Sequence, residues 1–291
     1  MTAQLLDGKK VAQKIHQQTL QQVKQLKEKG VTPSILFIRV GEDPASQIYV
    51  SMKDKKAAEL AIFTQTHILP DSVSEKEIFS LIQQSNSDPK IHGILLQSPL
   101  PSHLNEQTFF SAIAPQKDVD GFHPENMGKL LLGDFSGFIP CTPAGIHRLL
   151  IEYKIPIEGA NVALLGRGNI VGKPIAALLM QKAKDCNATV TVLHSHSKNI
   201  PEICQHADIL IAAMGKPHFI KAEMVKPGAT VIDVGVSRDP ATHRIVGDVD
   251  FEAVQQAASF ITPNPGGVGP MTIAMLMANV VRACEKLTSK I

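Results

Sequence analysis

The chain has 291 residues, 44% hydrophobic and 19% charged, with a formal net charge of +2. This is a globular composition with room for two domains, and it carries no electrostatic footprint for nucleic acid or an anionic membrane. The four cysteines (Cys141, Cys186, Cys204, Cys284) lie far apart without a C-x-x-C pair, which argues for reduced thiols over disulfides or zinc. Residues 1–10 have neither a signal core nor a transit pattern, and the most apolar helical stretch, 271–281, is shorter than the ~20 residues of a membrane span. A cytoplasmic location is expected.

In chain order, Asp7 reads as an N-cap, followed by Val11, Ile15, Val23 and Leu26 at helical spacing until Gly30. Residues 34–40 (S-I-L-F-I-R-V) form a buried-strand pattern, and a turn at 41–44 leads into a helix over about 45–61. Strand patterns at 62–69 and 91–96 enclose a helical one at 74–84. Strands alternating with helices predict βαβ units and a mostly parallel sheet. The pattern loosens over 97–101 and 117–124 and resumes with a helix for which Thr142 is the expected N-cap and Pro143 the first residue. A domain boundary is expected near there. Further strands are expected near 161–165, 189–194, 208–212, 229–234 and 258–261, and a last helix from Pro270.

The stretch 161–176 reads N-V-A-L-L-G-R-G-N-I-V-G-K-P-I-A. An apolar strand ends in a glycine turn that feeds a helix, the arrangement in which helix-start N–H groups cradle phosphate. Gly166, Gly168 and Gly172 give G-x-G-x-x-x-G, one residue longer than the common dinucleotide pattern. By itself such a pattern also suits any tight strand–helix turn; its placement favours a nucleotide. NAD sites carry a carboxylate ~20 residues on, for the ribose 2′-hydroxyl. Here that strand ends His194-Ser195-His196-Ser197-Lys198 without one, and Arg167 lies in the turn. An arginine and a hydroxyl suit a 2′-phosphate, so NADP is expected. His194 and His196 as metal ligands lack an Asp, Glu or Cys to complete the shell, and no metal is expected.

For chemistry, Tyr49 and Lys53 stand four apart on one helix face. A lysine becomes an acid–base group when its pKa is lowered, but Lys55 and Lys56 also suit a solvated basic face. Tyr-x-x-x-Lys marks short-chain dehydrogenases too, yet there the glycine turn comes first; here the order is reversed. Gln97 ends a strand, where α/β sheets place ligands. Asp120 sits in a turn that reaches the same region; its ordinary reading is an Asx turn.

Taken together, Tyr49-Val50-Ser51-Met52-Lys53, G-I-L-L-Q-S-P-L-P (93–101), K-D-V-D-G (117–121), P-C-T-P (140–143), the glycine turn, V-I-D-V-G (231–235) and P-N-P-G-G-V-G-P-M-T (263–272) closely resemble the bifunctional methylenetetrahydrofolate dehydrogenase/methenyltetrahydrofolate cyclohydrolase family. The resemblance implies oxidation of methylenetetrahydrofolate to the methenyl form with NADP, then hydrolysis to 10-formyltetrahydrofolate. It implies Lys53 as the acid–base residue tuned by Gln97, Tyr49 packed on the folate, and Asp120 bound to the pterin-like ring. Thr142, Gly166, Arg167, Gly168, Ser195 and Val236 would line the cofactor, with Pro265, Gly266 and Gly267 approaching both ligands. Ser98, Gly168 and Asn264 depart from the family's usual Leu or Val, Ser, and Val. The changes at 98 and 264 are expected to alter the polarity of the folate pocket.

The implied architecture is two α/β lobes flanking a cleft: a folate-binding catalytic domain over 1–138 with 275–291, and a Rossmann-type NADP-binding domain over 139–274. Tetrahydrofolate derivatives are the expected partners, in a homodimer serving one-carbon metabolism and purine biosynthesis. Two alternatives stand beside this reading: an NADP-dependent reductase of another small substrate, and a nucleotide-binding protein without turnover.

Overall fold

The computed structural model describes residues 2–238 and 245–289, with the backbone alone at Ala45. The chain begins with β1 (Gln4–Leu5) and α1 (Gly8–Glu28). Asp7 caps α1 by accepting the Lys10 N–H at 3.0 Å, and Gly30, at φ 79°, ends it. β2 (Ser34–Val40) is buried throughout. α2 (Pro44–Glu59) starts on Asp43, whose carboxylate accepts the Ser46 N–H at 2.7 Å, with Pro44 in the first turn. β3 (Phe63–Leu69), α3 (Glu75–Ser87), β4 (Gly93–Leu96), α4 (Glu106–Phe110) and α5 (Pro124–Leu131) follow. Ser74 and Glu77 open α3 as a reciprocal capping box.

The second half starts with α6 (Cys141–Glu152). Thr142 is therefore inside the helix and does not cap it; its Oγ1 lies 2.9 Å from Thr272 Oγ1. β5 (Asn161–Leu165), α7 (Gly172–Leu179), β6 (Thr189–Leu193), α8 (Ile200–Gln205), β7 (Ile209–Ala212) and β8 (Thr230–Asp233) come next. The antiparallel pair β9 (Ser237–Arg238) and β10 (Ile245–Val246), then α9 (Phe251–Val254), β11 (Phe260–Ile261) and α10 (Val268–Thr288), complete the chain. α10 starts two residues before Pro270, because proline needs no N–H partner in a first turn.

The residues divide into two compact units. One holds 13–130, 134–141 and the chain from Ile273 on; its parallel sheet has the order β3-β2-β4. Alternation puts Ile35, Phe37 and Leu95 on the face packed by Val50 and Ala57 of α2 and Leu276, Met277 and Val280 of α10. Leu36, Ile38, Ile94 and Leu96 meet Ile78, Ile82 and Phe109 on the other face. Sheets covered on both sides carry continuous apolar strands, as β2 and β4 do.

The other unit holds the chain up to Ala12, residues 131–133, and 142–272. Its parallel sheet has the order β1-β11-β8-β7-β5-β6. Strand order reverses at β5, so the crevice beyond the carboxyl ends of β5 and β7 is the switch point where such sheets take ligands. The first twelve residues were expected with the first domain. Instead Gln4 and Leu5 pair with Phe260 and Ile261, so the boundary falls inside α1.

Candidate active site

In the three-stranded unit the chemistry candidates converge. Tyr49 and Lys53 share a face of α2. Gln97 follows β4 with the same parity as Leu95, which turns it toward α2. Lys53 Nζ donates to Gln97 Oε1 at 2.9 Å, and Gln97 Nε2 donates to the Ser98 carbonyl at 2.6 Å. Lys53 is only 8% exposed, so the solvated basic face is excluded for it. Burial pulls its pKa below the ordinary lysine value, against the opposing pull of Asp120 and then of Cys141. Asp120, half-buried, is shifted the other way: burial raises its carboxyl, and Lys53 offsets part of that. Both groups are drawn toward neutrality. Burial also raises the Cys141 thiol well above its usual range.

The K-D-V-D-G turn explains how Asp120 is presented. Lys117 is buried and donates to the carbonyls of Ser85 and Asp88 at 3.0 and 2.6 Å. Asp118 is buried and accepts N–H bonds from Gly121, Phe122 and His123, plus the Asn126 amide at 2.8 Å. The Asx-type role expected for Asp120 thus belongs to Asp118, leaving Asp120 to face Lys53. Val119 presses on Gly93, where an added Cβ would lie 2.8 Å from Val119 Cγ1. Asn279 of α10 donates to the Val119 carbonyl at 2.8 Å.

In the six-stranded unit the glycine turn follows β5. A Cβ on Gly166, whose φ is 118°, would lie 2.2 Å from the Ala213 carbonyl oxygen beyond β7, and one on Gly172 would lie 2.3 Å from the Gly166 oxygen. These two glycines let strand ends and helix start close up; nothing lies within 4 Å of a Cβ at Gly168. Arg167 and Ser195 are both exposed. The register Leu165↔Leu193 and the Gly166 N–H bond to the Leu193 carbonyl (2.8 Å) bring their turns side by side. Arg167 also lies close enough to help burial lower the His194 pKa. The 194–197 turn closes through Ser197 Oγ, which accepts the His194 N–H at 2.9 Å. Among the described residues no group of three or more His, Cys, Asp or Glu could hold a metal. A hollow of about 480 Å³ beside β5 and α8, lined by Thr191, Lys198, Glu202 and His206 among others, contains none of the expected site residues.

Val236, 53% exposed, follows β8. Beneath it lie two buried carboxylates that the sequence reading passed over. Asp233 accepts the N–H groups of Gly235 (3.0 Å), Asp248 (2.9 Å) and Val249 (3.2 Å); burial still raises its pKa to about 6. Asp248 accepts those of Met214, Gly215 and Lys216 at 2.6–3.0 Å. An aspartate closing the apolar run V-I-D was the available signal. In the loop after β11, a Cβ on Gly8 would lie 1.7 Å from the Gly267 oxygen, and the Lys9 N–H donates to the Gly266 carbonyl. Asn264 Nδ2 donates to the Gly235 carbonyl at 2.6 Å. Ser98 Oγ donates to Glu106 Oε1 at 2.7 Å, and the Leu100 N–H bonds the same oxygen at 2.8 Å. Both departures from the family pattern thus have partners in the protein itself.

A parallel sheet with a glycine turn at its switch point, and a separate α/β unit carrying a buried lysine at its strand ends, define a two-domain dinucleotide-dependent enzyme of the α/β class. Residues 6–120 match the family described as "Tetrahydrofolate dehydrogenase/cyclohydrolase, catalytic domain", and residues 140–288 match its "NAD(P)-binding domain". The chain belongs to the tetrahydrofolate dehydrogenase/cyclohydrolase family. It is 51% identical over 288 residues to "Bifunctional protein FolD" of Chlamydia pneumoniae, covering 98% of this chain and 100% of that protein. Among solved structures, the bifunctional FolD methylenetetrahydrofolate dehydrogenase/cyclohydrolase of Campylobacter jejuni is 43% identical with a TM-score of 0.94, over 98% of this chain and 99% of that one. The Trypanosoma brucei enzyme, complexed with NADP cofactor and an inhibitor, is 35% identical with a TM-score of 0.93, over 98% of each chain.

Proposed function

We propose that this chain oxidises 5,10-methylenetetrahydrofolate to 5,10-methenyltetrahydrofolate with NADP and hydrolyses the product to 10-formyltetrahydrofolate. The observation that carries the reading is Lys53: buried, held by Gln97 Oε1 at 2.9 Å, with its pKa pulled down by burial. The methenyl substrate is a cation, which an ammonium would repel and a neutral amine tolerates. With its pKa lowered, the Lys53 amine takes a proton from the water that adds to the methenyl carbon and gives it to the ring nitrogen whose bond to that carbon breaks, while the added hydroxyl loses its remaining proton to solvent as it becomes the formyl carbonyl. Gln97 aims the lysine, Tyr49 packs against the folate, and Asp120 hydrogen-bonds the pterin ring.

NADP, when bound, supplies the hydride acceptor. The residues that fit it are Gly168, with open space around it for a phosphate, in a turn that Gly166 lets close against the strand ends, and Arg167 with Ser195 for the 2′-phosphate. Thr142 and Val236 would flank the remainder, and Pro265, Gly266 and Gly267 would meet both ligands. The reading extends to a homodimer in the cytoplasm that supplies one-carbon units to purine biosynthesis; sedimentation of the purified protein tests the dimer. No helix among the described residues is long and apolar enough to cross a membrane.

The deciding measurement is the absorbance change on mixing purified protein, NADP and methylenetetrahydrofolate. Formation of NADPH and of the formyl product is the expected result. NADP reduction only with another substrate would favour the reductase, and binding without turnover the non-catalytic protein.

A further inference from the structure

β8 and β11 run parallel, and their backbone ladder reaches its last rung where the Thr262 N–H donates to the Val231 carbonyl at 3.1 Å. Beyond that rung, side chains of the β11 strand continue the pairing. The Asp233 N–H donates to Thr262 Oγ1 at 2.7 Å, and Asn264 Nδ2 donates to the Gly235 carbonyl at 2.6 Å. Gly235 is also seated from below: its N–H donates to Asp233, and an added Cβ would lie 2.4 Å from the Asp248 carboxyl carbon. A trans peptide is planar, with its C=O and the following N–H pointing in opposite directions. Fixing the Gly235 carbonyl on Asn264 therefore fixes the direction of the Val236 N–H.

We infer that Asn264 is a positioning residue for the nucleotide: its amide locks the Gly235–Val236 peptide and ties that segment to the 263–267 loop, so both meet NADP preformed. The inference rests on the proposed function, in which Val236 and Pro265–Gly267 meet NADP. A preformed segment raises affinity by removing an ordering cost at binding; its loss appears in KM and not in the chemical step.

The test uses the full-length protein with Asn264→Val, which removes the donor, Asn264→Asp, which sets an oxygen against the Gly235 carbonyl, and Asn264→Gln, which keeps an amide. NADPH binding is followed by fluorescence, and KM for NADP and kcat by absorbance. Val and Asp should raise Kd and KM about five- to tenfold, as loss of a hydrogen bond of ~1 kcal/mol implies, with kcat within about twofold; Gln should recover at least half of the loss. Wild-type affinity in both Val and Asp overturns the inference, as does a lower melting temperature with unchanged Kd, or a loss that Gln fails to recover. A wild type that binds no NADPH overturns the proposed function, and this inference with it.

Discussion

The lysine constellation and the glycine turn are built in opposite ways. Lys53, Gln97 and Asp120 are side chains whose properties come from withdrawal from water: burial moves amine and carboxyl toward neutrality. The glycine turn works by the absence of side chains: Gly166 and Gly172 let backbone approach backbone, while Arg167 and Ser195 stay exposed. Substitutions should therefore strike chemistry in the first region, and geometry or cofactor choice in the second.

The largest expected effect is at Lys53. Lys53→Met should lower the hydrolysis rate by roughly 10²–10⁴-fold while the circular dichroism spectrum stays that of the parent; retained activity would remove the lysine from the mechanism. Gly166→Ala comes next. The added methyl meets a carbonyl at 2.2 Å on a backbone with φ 118°, so a stability loss of roughly 1–3 kcal/mol is expected, along with lost NADPH binding. Gly168→Ala, with open space around it, should stay within ~0.5 kcal/mol. Equal melting temperatures for the two variants would break the steric half of the comparison. Arg167→Ala should narrow the preference for NADP over NAD by roughly ten- to a hundredfold, in line with loss of a charge-assisted hydrogen bond of ~1.5–3 kcal/mol. An unchanged ratio of kcat/KM values would place 2′-phosphate recognition elsewhere.

The smallest effect concerns pH. Asp233 titrates at about 6 in the folded protein, above the ~3.9 of an unfolded aspartate. The folded state thus binds the proton more tightly, and the stability this contributes is fully present below about pH 4 and lost as pH rises through about 6. Melting temperature should carry a falling component between pH 4 and 7, and Asp233→Asn should flatten it. An identical slope in the variant would reject the assignment.

Local order was readable where short-range signals agree. The runs 34–40 and 161–165 appear as the strands Ser34–Val40 and Asn161–Leu165, and Asp7 caps α1 as expected. The N-cap expected at Thr142 is one residue off, since the helix starts at Cys141 and the Thr142 hydroxyl is used for a contact with Thr272, far along the chain. Pairing of Gln4–Leu5 with β11 was unreadable for the same reason: two residues carry no periodicity, and their partners are some 256 positions on. The site residues were named from motifs, but their supports were not. Asp118 organises the turn that presents Asp120, and Glu106 holds Ser98, whose carbonyl fixes the Gln97 amide. Hydrogen bonds made by loops that meet only after folding leave no pattern in the sequence. The partners that Ser98 and Asn264 find within the protein, Glu106 and the Gly235 carbonyl, were unreadable on that account.

The entry of Gln4–Leu5 into the six-stranded sheet, with the return of α10 from Ile273 on to the three-stranded unit, makes both units discontinuous along the chain. Cutting out residues 142–272 would strip β11 of its neighbour β1. Cutting out 13–141 would strip one core of Leu276, Met277, Val280, Val281, Ala283 and Cys284. Neither unit can be borrowed as a contiguous cassette: β11 needs β1 from far earlier in the chain, and the core around the lysine site closes only once α10, well over a hundred residues after Asp120, is available to it.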